Sequence, residues 1–259
     1  MFKLIWLFFR VGAMNELQYR VNFFIQLIQS LIELGIGLIG LALVFGHTTT
    51  LAGWTRPELL AVMGVYTLMG GLINATIQPN MLQLLNDVQQ GTLDYILTKP
   101  ADSQLQISIR QVHIWSMTDL LLGLSVLIYA VIQIQARIGF LQALVFVALL
   151  FMGVLMIYCF WLILTTGAFW LIRMENILEL FQGVYQAGRW PTTVYPNWLQ
   201  VGLTFLVPVA FAVTVPAEAI TGRLTVTTLL EALAFTIILL LFSRWFWKRG
   251  LRHYSGASA

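Results

Sequence analysis

The stretch "VNFFIQLIQSLIELGIGLIGLALVF", residues 21–45, decides the class of fold because it is apolar over almost its whole length. In a helix with a rise of 1.5 Å per residue, about 25 residues extend about 37 Å, and ~30 Å suffices to cross the hydrocarbon of a bilayer. Comparable runs recur along the chain. Since they are continuous rather than alternating, they predict membrane-spanning helices and not the strands of a barrel.

The composition supports an all-α integral membrane protein. The 259 residues are 59% hydrophobic and only 10% charged, whereas about a quarter of the residues in a soluble domain are charged. The net charge of +3 is small, so nothing indicates a nucleic-acid partner. The single cysteine, Cys159, excludes an internal disulfide and a zinc site built from several cysteines. We expect one transmembrane domain over residues 1–259.

Six membrane spans are predicted. Five follow directly from hydropathy, at residues 21–45, 59–85, 112–134, 140–172 and 224–247. The remaining span has two placements, over residues 194–217 or over residues 174–190. The first window contains Pro196, Pro208 and Pro216, and proline breaks a helix unless the freed backbone groups are buried in protein. The second placement turns residues 191–223 into a re-entrant hairpin.

The distribution of basic residues predicts the orientation. With both termini in the cytoplasm, four of the 14 Lys and Arg residues lie outside (Arg56, Arg137, Arg189 and Arg223) and the other ten lie inside. This bias fits the positive-inside rule and places the loop at residues 86–111 in the cytoplasm. Residues 1–20, in which Lys3 and Arg10 interrupt apolar residues, are expected to form a helix in the membrane interface.

The stretch "GTLDYILTKP", residues 91–100, predicts a short amphipathic helix in that loop. Thr92 can cap a helix that starts at Leu93, and the charge of Asp94 suits its first turn. Lys99 suits its last turn, and Pro100 stops it. Asp102 or Ser103 can cap the helix that follows.

One face of this short helix is apolar, because Leu93, Ile96 and Leu97 are spaced at i, i+3 and i+4. A helix of one or two turns is not stable alone. The apolar face therefore needs a partner, which we expect to be lipid head groups or another protein.

Polar residues recur on one face of the first two predicted spans. Gln29 and Glu33 lie on one face of the first span, and Asn74 and Gln78 on one face of the second. A charged residue at the centre of a membrane helix costs about 3 kcal/mol, so such residues face protein or water. They either line a translocation path or form hydrogen bonds between helices. Asp119 in the third span is a similar polar residue.

No motif for catalysis, metal binding or nucleotide binding is found. The chain has no GxxxxGK[ST] sequence, so it is not its own P-loop ATPase. His47, His113 and His253 have no spacing that suits a metal or a catalytic relay. An intramembrane enzyme would need such residues to converge. An ion-coupled secondary carrier with Glu33 as the coupling group stays an alternative, although such carriers usually show internal repeats.

Three segments resemble the permeases of the type-2 ABC exporter family. "GTLDYILTKP" is similar to the G-T-L-[DE]-x-x-L-x-x-P passage that follows the second span in that family, and "LQYR" is similar to its entry to the first span. "RWPTTVYPNWLQVGLTFLVPVAFAVTVPAEAITGR", residues 189–223, resembles its proline-rich stretch after the fifth span. The similarity in layout is to a bacterial branch of about 260 residues.

The resemblance implies a fold, partners and roles for residues. It implies six spans, an interfacial N-terminal helix, an outer re-entrant hairpin at residues 191–223 and therefore a fifth span at residues 174–190. It implies a second permease subunit, alike or different, and ATPase subunits that bind ATP and magnesium, so this chain itself would need no cofactor. It implies a multi-pass protein of the bacterial inner membrane that exports a substrate. The helix docked on the ATPase would comprise Gly91, Thr92, Leu93, Asp94, Ile96, Leu97, Lys99 and Pro100.

Overall fold

The fold is a bundle of long apolar helices, as a computed structural model shows for residues 10, 14, 20–100, 102–135, 139–170 and 177–254. Five helices among these residues are long and apolar enough to cross a membrane. The only β pairing in the same residues is a single bridge between Leu51 and Trp54. The prediction of an all-α integral membrane protein is confirmed, and the chain is a multi-pass membrane protein. The predicted interfacial helix at residues 1–20 lies almost entirely outside the described residues.

Helices are numbered in chain order over the described residues. They are α1 (Arg20–His47), α2 (Arg56–Leu72), α3 (Gln78–Gln89), α4 (Asp94–Leu97), α5 (Ser103–Ser108), α6 (Met117–Ile134), α7 (Phe140–Gly167), α8 (Ile177–Gln186), α9 (Asn197–Val201), α10 (Val215–Thr221) and α11 (Val226–Leu251). Helices α2 and α3 form one span together with the π-helical turn Ile73–Ile77. This span is the most buried of the five.

Glycines allow α2 and α6 to pack closely. A Cβ atom at Gly123 of α6 would lie 2.4 Å from the backbone nitrogen of Leu68 in α2. A Cβ atom at Gly64 would lie 2.8 Å from the backbone nitrogen of Leu127. Both distances are too short for a side chain, so these positions require glycine. Membrane helices use small residues in this way because close backbone contact replaces the missing hydrophobic driving force.

The second span continues past Pro79, and a hydrogen bond from a neighbouring segment makes this possible. Pro79 has no N–H, so it cannot donate to the carbonyl of Ala75 four residues earlier. The backbone N–H of His113 donates to that carbonyl instead, at 2.9 Å. The π-helical turn Ile73–Ile77 ends two residues before the proline. The segment that leads into α6 thus satisfies the backbone group that proline leaves open.

The predicted span at residues 174–190 is only partly described. Its described part, residues 177–190, contains α8, a helix of 10 residues, followed by a 3-10 turn at Ala187–Arg189. These 14 residues are fewer than the ~20 of a simple crossing. Residues 171–176 lie outside the described part of the chain. The placement of a fifth span at residues 174–190 stays a prediction.

The proline-rich segment forms a bent pair of helices. The helical segments Asn197–Leu206 and Ala210–Thr221 meet at 80°, the geometry of a broken span or of a re-entrant loop. The bend falls at Pro208, and Val207 before it is extended, as expected for a residue that precedes proline. The geometry is compatible with the hairpin at residues 191–223, which stays a prediction.

Arg223, at the end of this segment, fixes the loop between α1 and α2. Its guanidinium pairs with Glu58 at 2.9 Å and donates to the Gly53 carbonyl at 2.6 Å. It also lies 4.8 Å from the ring centroid of Trp54. The Trp54 indole donates to the Thr193 hydroxyl at 3.0 Å. One end of the bundle is therefore closed by contacts between the loop after α1 and both ends of the proline-rich segment.

Candidate coupling helix and polar cavity

The four predicted path residues line one cavity. Gln29 and Glu33 reach it from α1, and Asn74 and Gln78 reach it from the π-helical turn and the start of α3. The cavity has a volume of about 190 Å³. Helical spacing placed each pair on one face, and packing brings the two faces together. Whether this cavity is a translocation path stays a prediction.

On the α1 side, the cavity is bordered by carboxylates and their hydrogen-bond donors. The Ser30 hydroxyl donates to Asp119 of α6, and the Gln26 amide donates to the other oxygen of Asp119 at 3.4 Å. The Gln29 amide donates to Glu33 at 3.3 Å. The carboxylates of Glu33 and Asp119 also interact electrostatically. Asp119 thus joins α1 to α6 at the edge of the cavity.

Aromatic side chains also line the cavity. Tyr66 of α2 and Tyr185 of α8 stack with ring centroids 4.9 Å apart, and the Tyr185 hydroxyl donates to the Tyr66 carbonyl at 2.9 Å. Phe181 stacks on Tyr185 at 5.7 Å. The guanidinium of Arg189 lies 5.5 Å from the centroid of the Tyr66 ring. The sequence does not indicate this group of residues, because nothing in their spacing relates residue 66 to residues 181–189.

One edge of the cavity is open to the surroundings of the chain. Gln29, Glu33, Gln182 and Gln186 line the cavity and are exposed. Glu33 lies near the middle of α1, the helix of a span. Exposed amides and a carboxylate at membrane depth are costly in contact with lipid chains. This edge must therefore face water or another protein.

The short helix predicted after the second span is present, but it is capped differently. It forms α4, Asp94–Leu97, and its N-cap residue is Leu93, without a side-chain cap. The prediction that Thr92 caps a helix beginning at Leu93 is wrong, because the Thr92 hydroxyl donates to Asp87 at 3.2 Å instead. Gly91 has a φ of +68°, which glycine adopts without strain. The predicted cap at Asp102 is confirmed, since its carboxylate accepts from the Leu105 N–H.

The apolar face of α4 has a partner within its own chain, contrary to the prediction. Leu93 is 0% exposed and Ile96 is 4% exposed, and both belong to the main hydrophobic core. Tyr254, beyond the end of α11, packs against the same core. The spacing of apolar residues showed the face but could not show which surface covers it. Substitution of Leu93 or Ile96 would disturb the fold as well as any docking surface.

The outward side of α4 carries a different set of residues. Tyr95 is 75% exposed and Leu97 is 36% exposed. Thr98, Lys99 and Pro100 are also exposed. Tyr95 was missing from the predicted set, because it lies between the apolar positions of the helix. An exposed tyrosine beside a leucine is the kind of apolar contact that protein interfaces use.

Ion pairs and hydrogen bonds fix the loop that carries α4. Arg110 pairs with Asp87 at 2.6 Å and so connects the two ends of the loop. Arg244 of α11 pairs with Asp102 and donates to the Gln104 side chain at 2.5 Å. The hydrogen bond from Arg244 lowers the pKa of Asp102. These contacts hold the loop against the span that ends at Gln90 and against α11.

A second contact joins the loop to α7. Tyr158 of α7 lies 2.8 Å from the Ser108 hydroxyl and accepts from the Gln104 amide at 3.1 Å. The side chain of Asn80 in α3 bonds to both backbone groups of Gln111, at 2.7 and 2.9 Å. A displacement of α4 would therefore be transmitted through these contacts to α3, α7 and α11.

Long apolar helices around a polar cavity define a multi-pass membrane protein, and comparison with known proteins gives the family. The family model described as "ABC-2 family transporter protein" matches residues 31–258, which is most of the chain. The chain belongs to this family and is an ABC-type permease. Comparison with curated proteins gives no significant match. Comparison with solved structures gives none either.

Proposed function

We propose that the chain is the membrane-spanning subunit of an ATP-driven exporter and that a separate ATPase subunit docks on α4. The proposal rests on the family match over residues 31–258, taken together with the exposed surface around Tyr95 and Leu97. The chain has no P-loop sequence, so ATP and magnesium belong to the partner subunit. This chain then supplies no catalytic residue and holds no cofactor or metal.

The fixed loop gives the docking surface a mechanical role. Asp87 and Arg110 connect the ends of the loop, and Asp102 and Tyr158 connect it to α11 and α7. A force applied at Leu97 is transmitted to the spans because these contacts resist independent movement of the loop. ATP-driven movement of the ATPase would change the packing of the spans in this way.

A second permease subunit closes the open edge of the cavity in this proposal. The exposed residues of that edge lie at membrane depth and need a polar neighbour (Gln29, Glu33, Gln182 and Gln186). A partner of the same family, alike or different, would bring a matching polar face. The two faces would then enclose a path, and membrane lipid would contact the remaining apolar surfaces.

The proposed setting is the bacterial inner membrane, with both termini in the cytoplasm. Basic residues are concentrated on that side of the predicted topology. The segment after α11 also lies beside α4, since Tyr254 is close enough to Asp94 for the two groups to interact electrostatically. The C-terminal segment and the docking helix therefore lie on the same side of the membrane in this account.

The proposed substrate is amphipathic or lipid-like, because the cavity combines amides and carboxylates with aromatic rings. The test is to purify the chain with an ATP-binding-cassette subunit from the same genome and reconstitute both in vesicles. We expect ATP hydrolysis and ATP-dependent movement of an amphipathic substrate only when both subunits are present. No association with an ATPase, or transport driven by an ion gradient without ATP, would contradict the proposal.

A further inference from the structure

The two halves of the second span are attached to different neighbours. Helix α2 packs on α6 through close backbone contact at Gly64 and Gly123. Helix α3 packs on α7 and on α5 of the loop instead. Its Met81 is fully buried, and the Met81 sulfur accepts from the Thr165 hydroxyl of α7 at 3.7 Å. A movement of the loop and α3 relative to α6 must therefore be taken up where α2 meets α3.

The junction between these halves is the π-helical turn Ile73–Ile77. The N–H of Gln78 donates to the carbonyl of Ile73, five residues earlier. Turns of this kind are rare and frequently lie at functional sites, and sharp kinks in helices are concentrated at π turns and at prolines. Pro79 follows within two residues and removes one more helical hydrogen bond. The junction is therefore held by fewer helical hydrogen bonds than an uninterrupted helix would have.

Contacts with the segment before α6 replace part of this ladder. The His113 N–H donates to the Ala75 carbonyl. The Asn80 side chain, in a residue that is only 1% exposed, donates to the carbonyls of Thr76 and Gln111 at 2.6 and 2.7 Å and accepts from the Gln111 N–H at 2.9 Å. Asn80 thus joins the end of the π turn, the start of α3 and the far end of the loop that carries α4.

The same junction forms part of the wall of the polar cavity. Asn74 lies within the π turn and Gln78 directly after it, and both line the cavity. On the other side of the cavity are Gln29 and Glu33 of α1. A change of angle at the junction would move Asn74 and Gln78 relative to α1. The junction therefore lies between the loop that carries α4 and the cavity.

We propose that the π turn Ile73–Ile77 is a hinge on which α3 and the loop swing against α2 and α6. Asn80 is the positioning residue that limits this swing, and it acts through Asn74 and Gln78. This inference rests on the proposed transport function, because it names the place where movement of the ATPase becomes a change in the cavity. The hinge itself belongs to the chain and operates without ATP.

The first test measures a distance in the full chain in nanodiscs, without ATPase. Spin labels are attached to Leu121→Cys on α6 and Gln89→Cys at the end of α3, two exposed positions, after the buried Cys159 has been replaced by alanine. Deletion of Thr76 removes the extra residue of the π turn and leaves an uninterrupted α-helix with the same faces on α2 and α3. We expect a narrower distance distribution after the deletion. An equal or broader distribution would overturn the proposal.

A second variant changes the same distance in the opposite direction. Asn80→Ala releases the restraint on the hinge, so we expect a broader distribution than in the wild type. Asn86→Ala, at an exposed position of α3, is the matched control and is expected to leave the distribution unchanged. A purely structural role of Asn80 would lower the melting temperature without broadening the distribution in the folded protein. An unchanged distribution in Asn80→Ala would overturn the proposal.

The second test measures transport per ATP hydrolysed by the complex with the ATPase. The Thr76 deletion and Asn80→Ala leave the exposed side of α4 intact, so both are expected to retain the ATPase and its hydrolysis. Transport per ATP is expected to fall at least about fivefold, the lower end of the usual range for coupling between two sites. Asn86→Ala is expected to keep the wild-type ratio. An unchanged ratio in both hinge variants would overturn the proposal.

The two tests separate the hinge from the transport function. The expected changes in distance, together with a wild-type complex that shows no ATP-driven transport, would refute the transport function and keep the hinge. ATP-driven transport by the wild-type complex, together with identical distances in the wild type, the Thr76 deletion and Asn80→Ala, would refute the hinge and keep the transport function.

Discussion

The Arg110 guanidinium lies 2.6 Å from the Asp87 carboxylate, and this ion pair connects the two ends of the loop that carries α4. The Asp87 side chain is 8% exposed, so Arg110 replaces contacts with water that burial removes. Gln83 and Thr92 complete the hydrogen bonds of Asp87 at 2.9 and 3.2 Å. The loop between the second and third spans is thereby fixed to the end of its own span.

Removal of one member of this pair is expected to destabilise the protein. Arg110→Gln leaves a buried carboxylate without its cation, and the expected loss is about 1–3 kcal/mol of unfolding free energy. Thermal unfolding in detergent measures it, and Arg252→Gln, an exposed position beyond α11, is the control. The double variant with Asp87→Asn should lose less than the sum of the two single variants. Additive losses would show that the pair is not coupled.

Close packing of α2 and α6 is expected to tolerate no side chain at residue 123. In Gly123→Val, the valine side chain would collide with the backbone of Leu68, because a Cβ atom alone would lie 2.4 Å from the Leu68 backbone nitrogen. The expected loss of stability is about 1–3 kcal/mol. Gly35→Val in α1 is the matched control, since a Cβ there meets nothing within 4 Å. Equal melting temperatures for the two variants would contradict this packing.

The link between Asp102 and Arg244 has a predictable pH dependence. The hydrogen bond from Arg244 lowers the pKa of Asp102 below its ordinary value of 3.8, so the link stabilises the fold above that pH and is lost as the pH falls through the lowered pKa. Both side chains are partly exposed, so the contribution is at most about 1 kcal/mol. Asp102→Asn should lower the melting temperature by a constant amount between pH 5 and 8. The difference should shrink below pH 4, and a difference that grows there would be inconsistent with this sign.

Substitution of Glu33 distinguishes the exporter from an ion-coupled carrier. Glu33 lines the cavity and is exposed, so an exporter with Glu33→Gln is expected to keep ATP-driven transport with altered substrate preference. A carrier that uses Glu33 for coupling would lose transport completely and would respond to a proton gradient. The measurement is uptake into inverted vesicles with ATP, with and without a protonophore. Loss of wild-type uptake with the protonophore while ATP is supplied would favour the carrier.

The sequence predicted much of this architecture, and its failures have physical causes. Continuous apolar runs are sufficient to locate long membrane helices, and helical spacing placed Glu33 and Asn74 on faces that meet in the cavity. Spacing could not show that Leu93 is covered by the chain itself. Nor could it show that His113 satisfies the carbonyl left open by Pro79. Both facts depend on contacts between segments that are distant in sequence.

Docking of the ATPase on the exposed side of α4 can be tested directly. The most direct measurement is ATP hydrolysis by the co-purified complex of the Leu97→Asp variant, compared with Leu105→Asp. Leu97 is 36% exposed in α4, and Leu105 is 47% exposed in α5 of the same loop, so both variants should fold. We expect Leu97→Asp to lose the ATPase or its stimulated hydrolysis and Leu105→Asp to retain both. Full association and hydrolysis in Leu97→Asp would contradict it.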